Sequence, residues 1–420
     1  MDLYIVDIDR FSVRVPFREL TARNMVRELP WWDIFEICKV TLHGGVVGYG
    51  ETMSYYTWIK TTDEAVKRAW GKNAAEIMWD DSLGAGLQMA ILDAVARATD
   101  VPIYALLGKK IRDRAALAWW DNDLSPADLA SECKLAVDKG YTRFKTKGRP
   151  WWDPFSQMEQ VAKVVPEDFS IGIDFNDTLI NADHAQRILP DLAGQFPVVK
   201  FYESPIPQDD VEGGKRIQQM TDVSIAHHYG HPPAMVQLGE ELCDGFVVSG
   251  GASQLMHRGA VCAEAKKPFW LQLVGTGITA SYALHFAAVL EWARWPAVNC
   301  HQLFQHDLLK NELVVKEGTT SVPERPGLGV ELDMEAIESF RIPTPQTQPP
   351  GPDRLMRAVF PKGPIWYYAN GQQYRQHGSA GVLPVYQRGA YLEMIPNDDS
   401  ARWKELHRRA MKGPFKEDGI

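Results

Sequence analysis

The feature that most constrains this chain is a rhythm. From about Ala115 to His301, eight short apolar runs of strand length alternate with seven amphipathic stretches of helix length. The runs are 115–120, 142–147, 170–174, 199–203, 224–228, 245–249, 269–274 and 297–301. Between them lie 125–139, 154–164, 182–193, 213–220, 233–241, 253–265 and 281–292. Strict strand–helix alternation calls for parallel pairing with right-handed crossovers. Eight strands in this order point to closure into a barrel, with an open doubly wound sheet as the alternative. The expected fold class is α/β, a (β/α)7β TIM-like barrel.

The ends of the chain read differently. Residues 1–112 are expected to form an α+β capping domain. Its strands lie near 3–15 and 33–50, the second broken by the tight Gly44-Gly45 turn, and helices follow at 63–72, 86–99 and 102–107. Residues 16–32 read as a polar loop. The barrel is placed at 113–335. Residues 336–420 are expected as a C-terminal extension: a proline-rich linker, PTPQTQPPGPDR, then a segment packing back on the cap or barrel.

Bulk properties exclude several functions. A net charge of −9 with no long basic run argues against a nucleic-acid partner. No apolar run reaches the roughly 18 residues a membrane span needs, and the N-terminus lacks a signal-peptide pattern, so a cytoplasmic protein is expected. The five cysteines form no CxxC motif and read as reduced, buried thiols.

In such a barrel, chemistry sits at the C-terminal ends of the strands. Strand two ends in Lys145-Thr146-Lys147, whose lysines share one face of the strand. Strand three ends at Asp174, with Asn176 two residues on. Strand four ends at Glu203, and strand five ends in His227-His228. Lys147, Asp174, Glu203 and His228 follow one another at intervals of 25 to 29 residues, which places them at equivalent positions around one rim. Carboxylates so arranged suit a hard divalent cation such as Mg²⁺. A cation there can bind a substrate carboxylate and hold the charge that builds when an α-proton leaves. A neighbouring lysine with a lowered pKa can take that proton.

Several segments in order carry a family resemblance: EICKVTLHGGVVGYGET at 36–52, QMAILDAVARATDVPIYALLGKKIRDR at 88–114, the KTK of 145–147, IDFND, YESP and PGLGVELD at 326–333. Together they resemble the mandelate racemase and muconate lactonizing enzyme branch of the enolase superfamily. The resemblance implies a capping domain over a (β/α)7β barrel, with Mg²⁺ held by three carboxylate-type ligands at strands three, four and five. Asp174 and Glu203 match the first two ligands. Lys147 would be the base, and Lys145 its partner near the substrate carboxylate. The loop 16–32 and the Tyr55-Tyr56 segment would close over the substrate.

Three positions depart from the family pattern. Strand five offers histidine where a carboxylate is usual, so the third metal ligand is atypical; either His228 or His227 would ligate, and since the two alternate across the strand only one faces the site. Strand six (FVVSGGAS) and strand seven (WLQLVGTG) lack the usual second acid or base. One lysine suffices for abstraction followed by loss of a leaving group. The reading is therefore a dehydratase acting on a hydroxy or sugar acid. An isomerase using a histidine as second group, such as His301 at the end of strand eight, is the alternative. A non-catalytic barrel that binds a small acid is the alternative from another class. Asn176, His227, Trp119 and Tyr55 are expected to contact the substrate, a small carboxylate, and a homo-oligomer is expected.

Overall fold

The structure is a computed structural model and describes residues 2–417. The first elements are β1 (Ile5–Arg14), α1 (Glu19–Glu28), β2 (Ile34–Leu42), β3 (Val47–Met53) and α2 (Ala85–Ala98). Then come β4 (Arg114–Trp120), α3 (Pro126–Asp138), β5 (Arg143–Lys147), α4 (Pro154–Val161), β6 (Ser170–Asp174), α5 (Leu189–Gln195), β7 (Val199–Glu203) and α6 (Val211–Met220). They are followed by β8 (Ser224–His228), α7 (Ala234–Gly239), β9 (Gly245–Val248), α8 (Ala252–Glu264), β10 (Phe269–Leu271), α9 (Gly277–Val289) and β11 (Ala297–Val298). The last are β12 (Leu355–Val359), β13 (Ile365–Tyr368), α10 (Gly371–Ser379), β14 (Tyr391–Ile395), α11 (Ala401–Lys412) and β15 (Phe415–Glu417). From β4 to β11 the succession is the (β/α)7β barrel read from the rhythm. The crossover helices begin where their caps dictate. Ser125 and Asp153 each accept backbone N–H groups ahead of a proline in the first turn, and Asp210 caps α6.

The chain forms two compact units. One holds the residues up to Arg18, Trp31–Trp120 and Phe246–Pro349. Here β1, β2 and β3 make an antiparallel sheet, with Arg341-Ile342 on the outer edge of β1. Helix α2 lies against this sheet backbone to backbone. A Cβ at Gly50 would fall 2.2 Å from the Gly86 carbonyl oxygen, so only glycine permits the approach. The same unit pairs β9 with β10 and β11 with β4, all parallel, and Gln272 bridges to Val298.

The other unit holds Glu19–Pro30, Asp121–Gly245 and Pro350 onward. It contains β5, β6, β7 and β8 paired in succession and parallel. It also contains an antiparallel sheet of order β14-β12-β13-β15 with α10 and α11. The residues read as a polar loop at 16–32 contain the ten-residue helix α1. Its buried side chains are Thr21, Asn24, Met25, Arg27 and Glu28, mostly polar, so apolar periodicity could not announce it. The strand expected at 297–301 is paired only over Ala297–Val298, and His301 opens a short 3-10 turn. All five cysteines are buried and none of them forms a disulfide among the described residues. Among the described residues no helix is long and apolar enough to cross a membrane.

Candidate active site

Parallel register sets the rim. Lys147 stands opposite Asp174, Asp174 opposite Glu203, and Glu203 opposite Ala226, two residues before His228. Side chains spaced by two share a face of the pleat, so Lys145 joins Lys147 and His228 joins the face of Ala226. The result is a compact charge cluster. Lys147 Nζ lies 2.5 Å from Asp174 Oδ2, and Lys145 Nζ lies 3.6 Å from the same oxygen while forming an ion pair with Glu203. His228 Nε2 lies 3.2 Å from Glu203 Oε1. The backbone N–H of His228 donates to Gln208 Oε1, which fixes the end of β8.

Both carboxylates are almost fully buried, Asp174 at 0% and Glu203 at 2% exposure, so they depend on these partners rather than on water. Burial alone would raise the Asp174 pKa. The ammonium groups of Lys147 and Lys145 outweigh it and hold the group well below the ordinary carboxylate range. Lys147 moves the other way: burial lowers its pKa and Lys145 adds to the effect, against the pull of Asp174 and Glu203. Burial also pushes Asp177 up to about 6, with Asp174 adding to it. His227 is buried, lowered to about 4 by desolvation and by neighbouring His228, and its Nδ1 has no hydrogen-bond partner among the described residues.

Asn176 adopts φ +46° just after β6. Its N–H donates to Asp174 Oδ1 at 3.0 Å, and its Oδ1 accepts from Arg149 Nη1 at 3.1 Å. The structure thus brings Lys145, Lys147, Asp174, Asn176, Glu203 and His228 together. His227 lies in the same unit, and the remaining candidates belong to the other one. There Trp119 stands one residue before the end of β4, with the Arg18 guanidinium 5.2 Å from its ring centre. Tyr55 donates its hydroxyl to the Thr347 carbonyl, with Lys60 over its ring. His301 is buried and lowered to about 4 by desolvation.

Sequence reasoning passed over a second layer of charge. Arg149, two residues beyond Lys147, is 3% exposed and donates to both oxygens of Glu28 in α1. Asn122 also donates to Glu28. Beside it Asp123, fully buried, accepts from Arg27 Nε at 2.6 Å and from the indoles of Trp151 and Trp152 at 2.7 and 2.8 Å. The KTK motif was the only local signal; Glu28 lies 121 residues from Arg149.

The donor set also tests the expected cation. Among the described residues no three His, Cys, Asp or Glu side chains converge as a ready metal site, and both carboxylates are paired with lysines. The third position offers an imidazole nitrogen, whereas Mg²⁺ takes oxygen ligands almost exclusively. In this respect the residues do not fit the family's Mg²⁺ site.

A family model described as "Enolase C-terminal domain-like" matches residues 128–336. The chain belongs to the mandelate racemase/muconate lactonizing branch of the enolase superfamily. An o-succinylbenzoate synthase of Geobacillus stearothermophilus is 23% identical over 339 residues, covering 72% of this chain and 88% of the relative. A D-galactonate dehydratase of Variovorax paradoxus is 23% identical over 398 residues, covering 84% and 98%. Among solved structures, N-succinyl Arg/Lys racemase of Bacillus cereus superposes with a TM-score of 0.68 at 19% identity, covering 81% of this chain and 98% of that one. Synthase, dehydratase and racemase thus share this superfamily fold, and identity this low leaves the particular reaction to the site.

Proposed function

We propose that this protein is an enzyme that removes the proton α to a carboxylate in a small hydroxy or sugar acid and completes the reaction as a dehydration. The supporting observation is Lys147: an amine on the barrel rim with its side chain 14% exposed, its pKa lowered by desolvation and by a second ammonium two residues away. Desolvation favours its neutral form, the form able to accept a proton near neutral pH. Lys145 presents a fixed positive charge on the same face of the strand, where negative charge on the substrate carboxylate would grow as the proton leaves. Asp174 and Glu203 hold the two lysine side chains in place. An isomerase reading needs a second proton carrier; His228 beside Glu203 is the group that favours it.

The test is solvent exchange. The purified protein, incubated in D₂O with a panel of hydroxy and sugar acids, is expected to incorporate deuterium for at least one acid, at the α-carbon of acid that is returned or at the β-carbon of the 2-keto product, followed by ¹H NMR. Lys147→Ala should reduce that exchange by about 10³-fold or more, the scale of losing a general base. Exchange that survives the substitution refutes the role of Lys147. Acids that bind without exchange or elimination in the wild-type protein favour the non-catalytic reading.

A further inference from the structure

We propose that residues 350–417 are a brace that sets the geometry of the rim loops, with Arg375, Glu28 and Arg149 as positioning residues. This segment lies beyond the matched family region, which ends at 336. It is not an appended tail. Its core includes Met356, Phe360, Tyr368, Tyr374 and Leu392 together with Trp151 and Trp152, which belong to the loop following Lys147. It meets three rim segments at once.

The first is α1. Arg375 Nε lies 3.1 Å from Glu28 Oε1, and buried Arg354 donates to the Val26 carbonyl. The start of α10 presses on the same helix: a Cβ at Gly371 would lie 2.4 Å from the Arg27 carbonyl oxygen and 2.8 Å from Glu28 Cα. The second is the loop after β5. Arg388 Nε and the Gly389 N–H both donate to Asp153 Oδ2 at 2.9 Å, and the Tyr374 hydroxyl reaches Asp123. The third is the turn after β6. The hydroxyls of Tyr386 and Thr178 are 2.6 Å apart, and the Tyr386 ring meets Phe175 edge-on at 5.4 Å.

These contacts converge on one path. Arg375 holds Glu28, Glu28 holds Arg149 with two hydrogen bonds, and Arg149 holds Asn176, whose N–H binds Asp174. A charge-assisted, bidentate link transmits direction as well as energy, because the guanidinium fork fixes the relative planes of its partners. The half-exposed outer residue Arg375 therefore orients the turn carrying the most deeply buried carboxylate of the site. The consequence for catalysis rests on the function proposed above; the brace itself does not.

The experiment uses the full chain and hydrogen–deuterium exchange read by mass spectrometry, with no substrate added. Arg375→Ala is expected to accelerate amide exchange about 5- to 10-fold in peptides covering 19–30, 146–153 and 174–179, as expected for losing one ion pair to a buried carboxylate in a locally opening segment. Arg375→Lys should restore most of the protection, a rescue that generic loosening would not show. Gly371→Ala is the second variant and should expose 19–30 even where Arg375 tolerates change. For an acid that shows Lys147-dependent exchange, Arg375→Ala should lower kcat with KM nearly unchanged. Faster exchange confined to 371–379, with 174–179 unaltered in both variants, overturns the brace. If the brace holds but no acid exchanges its α-proton, the proposed reaction fails and the positioning path stands.

Discussion

Asp123 offers the sharpest test of how the buried layer is held. It has no exposure, adopts φ +55°, and accepts from Arg27, Trp151, Trp152 and, at 3.4 Å, Tyr374. Asparagine tolerates the left-handed backbone nearly as well as aspartate, so Asp123→Asn isolates charge from conformation. The amide oxygen can still accept from the two indoles. The Arg27 guanidinium, only 10% exposed, would then face an amide N–H₂ in place of a carboxylate oxygen. Breaking one side of a buried ion pair costs about 3–5 kcal/mol because the other charge stays buried and uncompensated. We expect a loss of about 4 kcal/mol in the unfolding transition of this unit, followed in urea by tryptophan emission, since Trp151 and Trp152 report on that surrounding directly. The double variant Arg27→Leu/Asp123→Asn removes both charges and should recover at least half of the loss. A single-variant cost below about 1 kcal/mol, or a double variant no better than the single one, would refute the account of Asp123 as a buried counter-ion.

Two further outcomes follow from the site and its supports. His228→Asp replaces the imidazole nitrogen beside Glu203 by oxygen donors, so Mg²⁺ affinity measured by calorimetry should tighten at least about tenfold over the wild-type chain; equal affinities would remove His228 from any ligand position. His285, buried in α9, accepts the Tyr104 N–H at Nδ1 and pairs with the Leu328 carbonyl through Nε2, and burial lowers its pKa to about 4. The unfolded chain binds this proton first, so stability is full above about pH 6.5, falls as pH drops, and levels off below about 4. The loss is of order 3 kcal/mol for this group. His285→Gln should remove about one proton's share of the slope of unfolding free energy against pH in that window, and an unchanged slope would assign the acid sensitivity elsewhere.

The barrel was legible because its signal is periodic: apolar runs at nearly constant spacing define both the strands and the rim. Lys147, Asp174 and Glu203 were legible for the same reason, since parallel register turns equal spacing into adjacency. Helix α1 was not, because its buried face carries Thr21, Asn24, Arg27 and Glu28, the reverse of the usual pattern. Arg149 stood beside the motif, yet its meaning depends on Glu28, and a pairing across 121 residues leaves no trace in local composition. The sheet of β12 to β15 is similar. Its strands are short and its core draws on Trp151 and Trp152, so the segment alone shows too little apolar pattern to announce a fold.

The consecutive tryptophans carry one more consequence. Because Trp151 and Trp152 complete the interior of β12, β13 and α10, a gene shortened at residue 349 would encode a chain with two large aromatic rings turned toward water next to Lys147. Such a chain would be expected to self-associate through that surface. Inheritance of the barrel and of its last seventy or so residues is therefore tied: neither segment can be exchanged, trimmed or recombined in a library without rewriting the loop between β5 and α4.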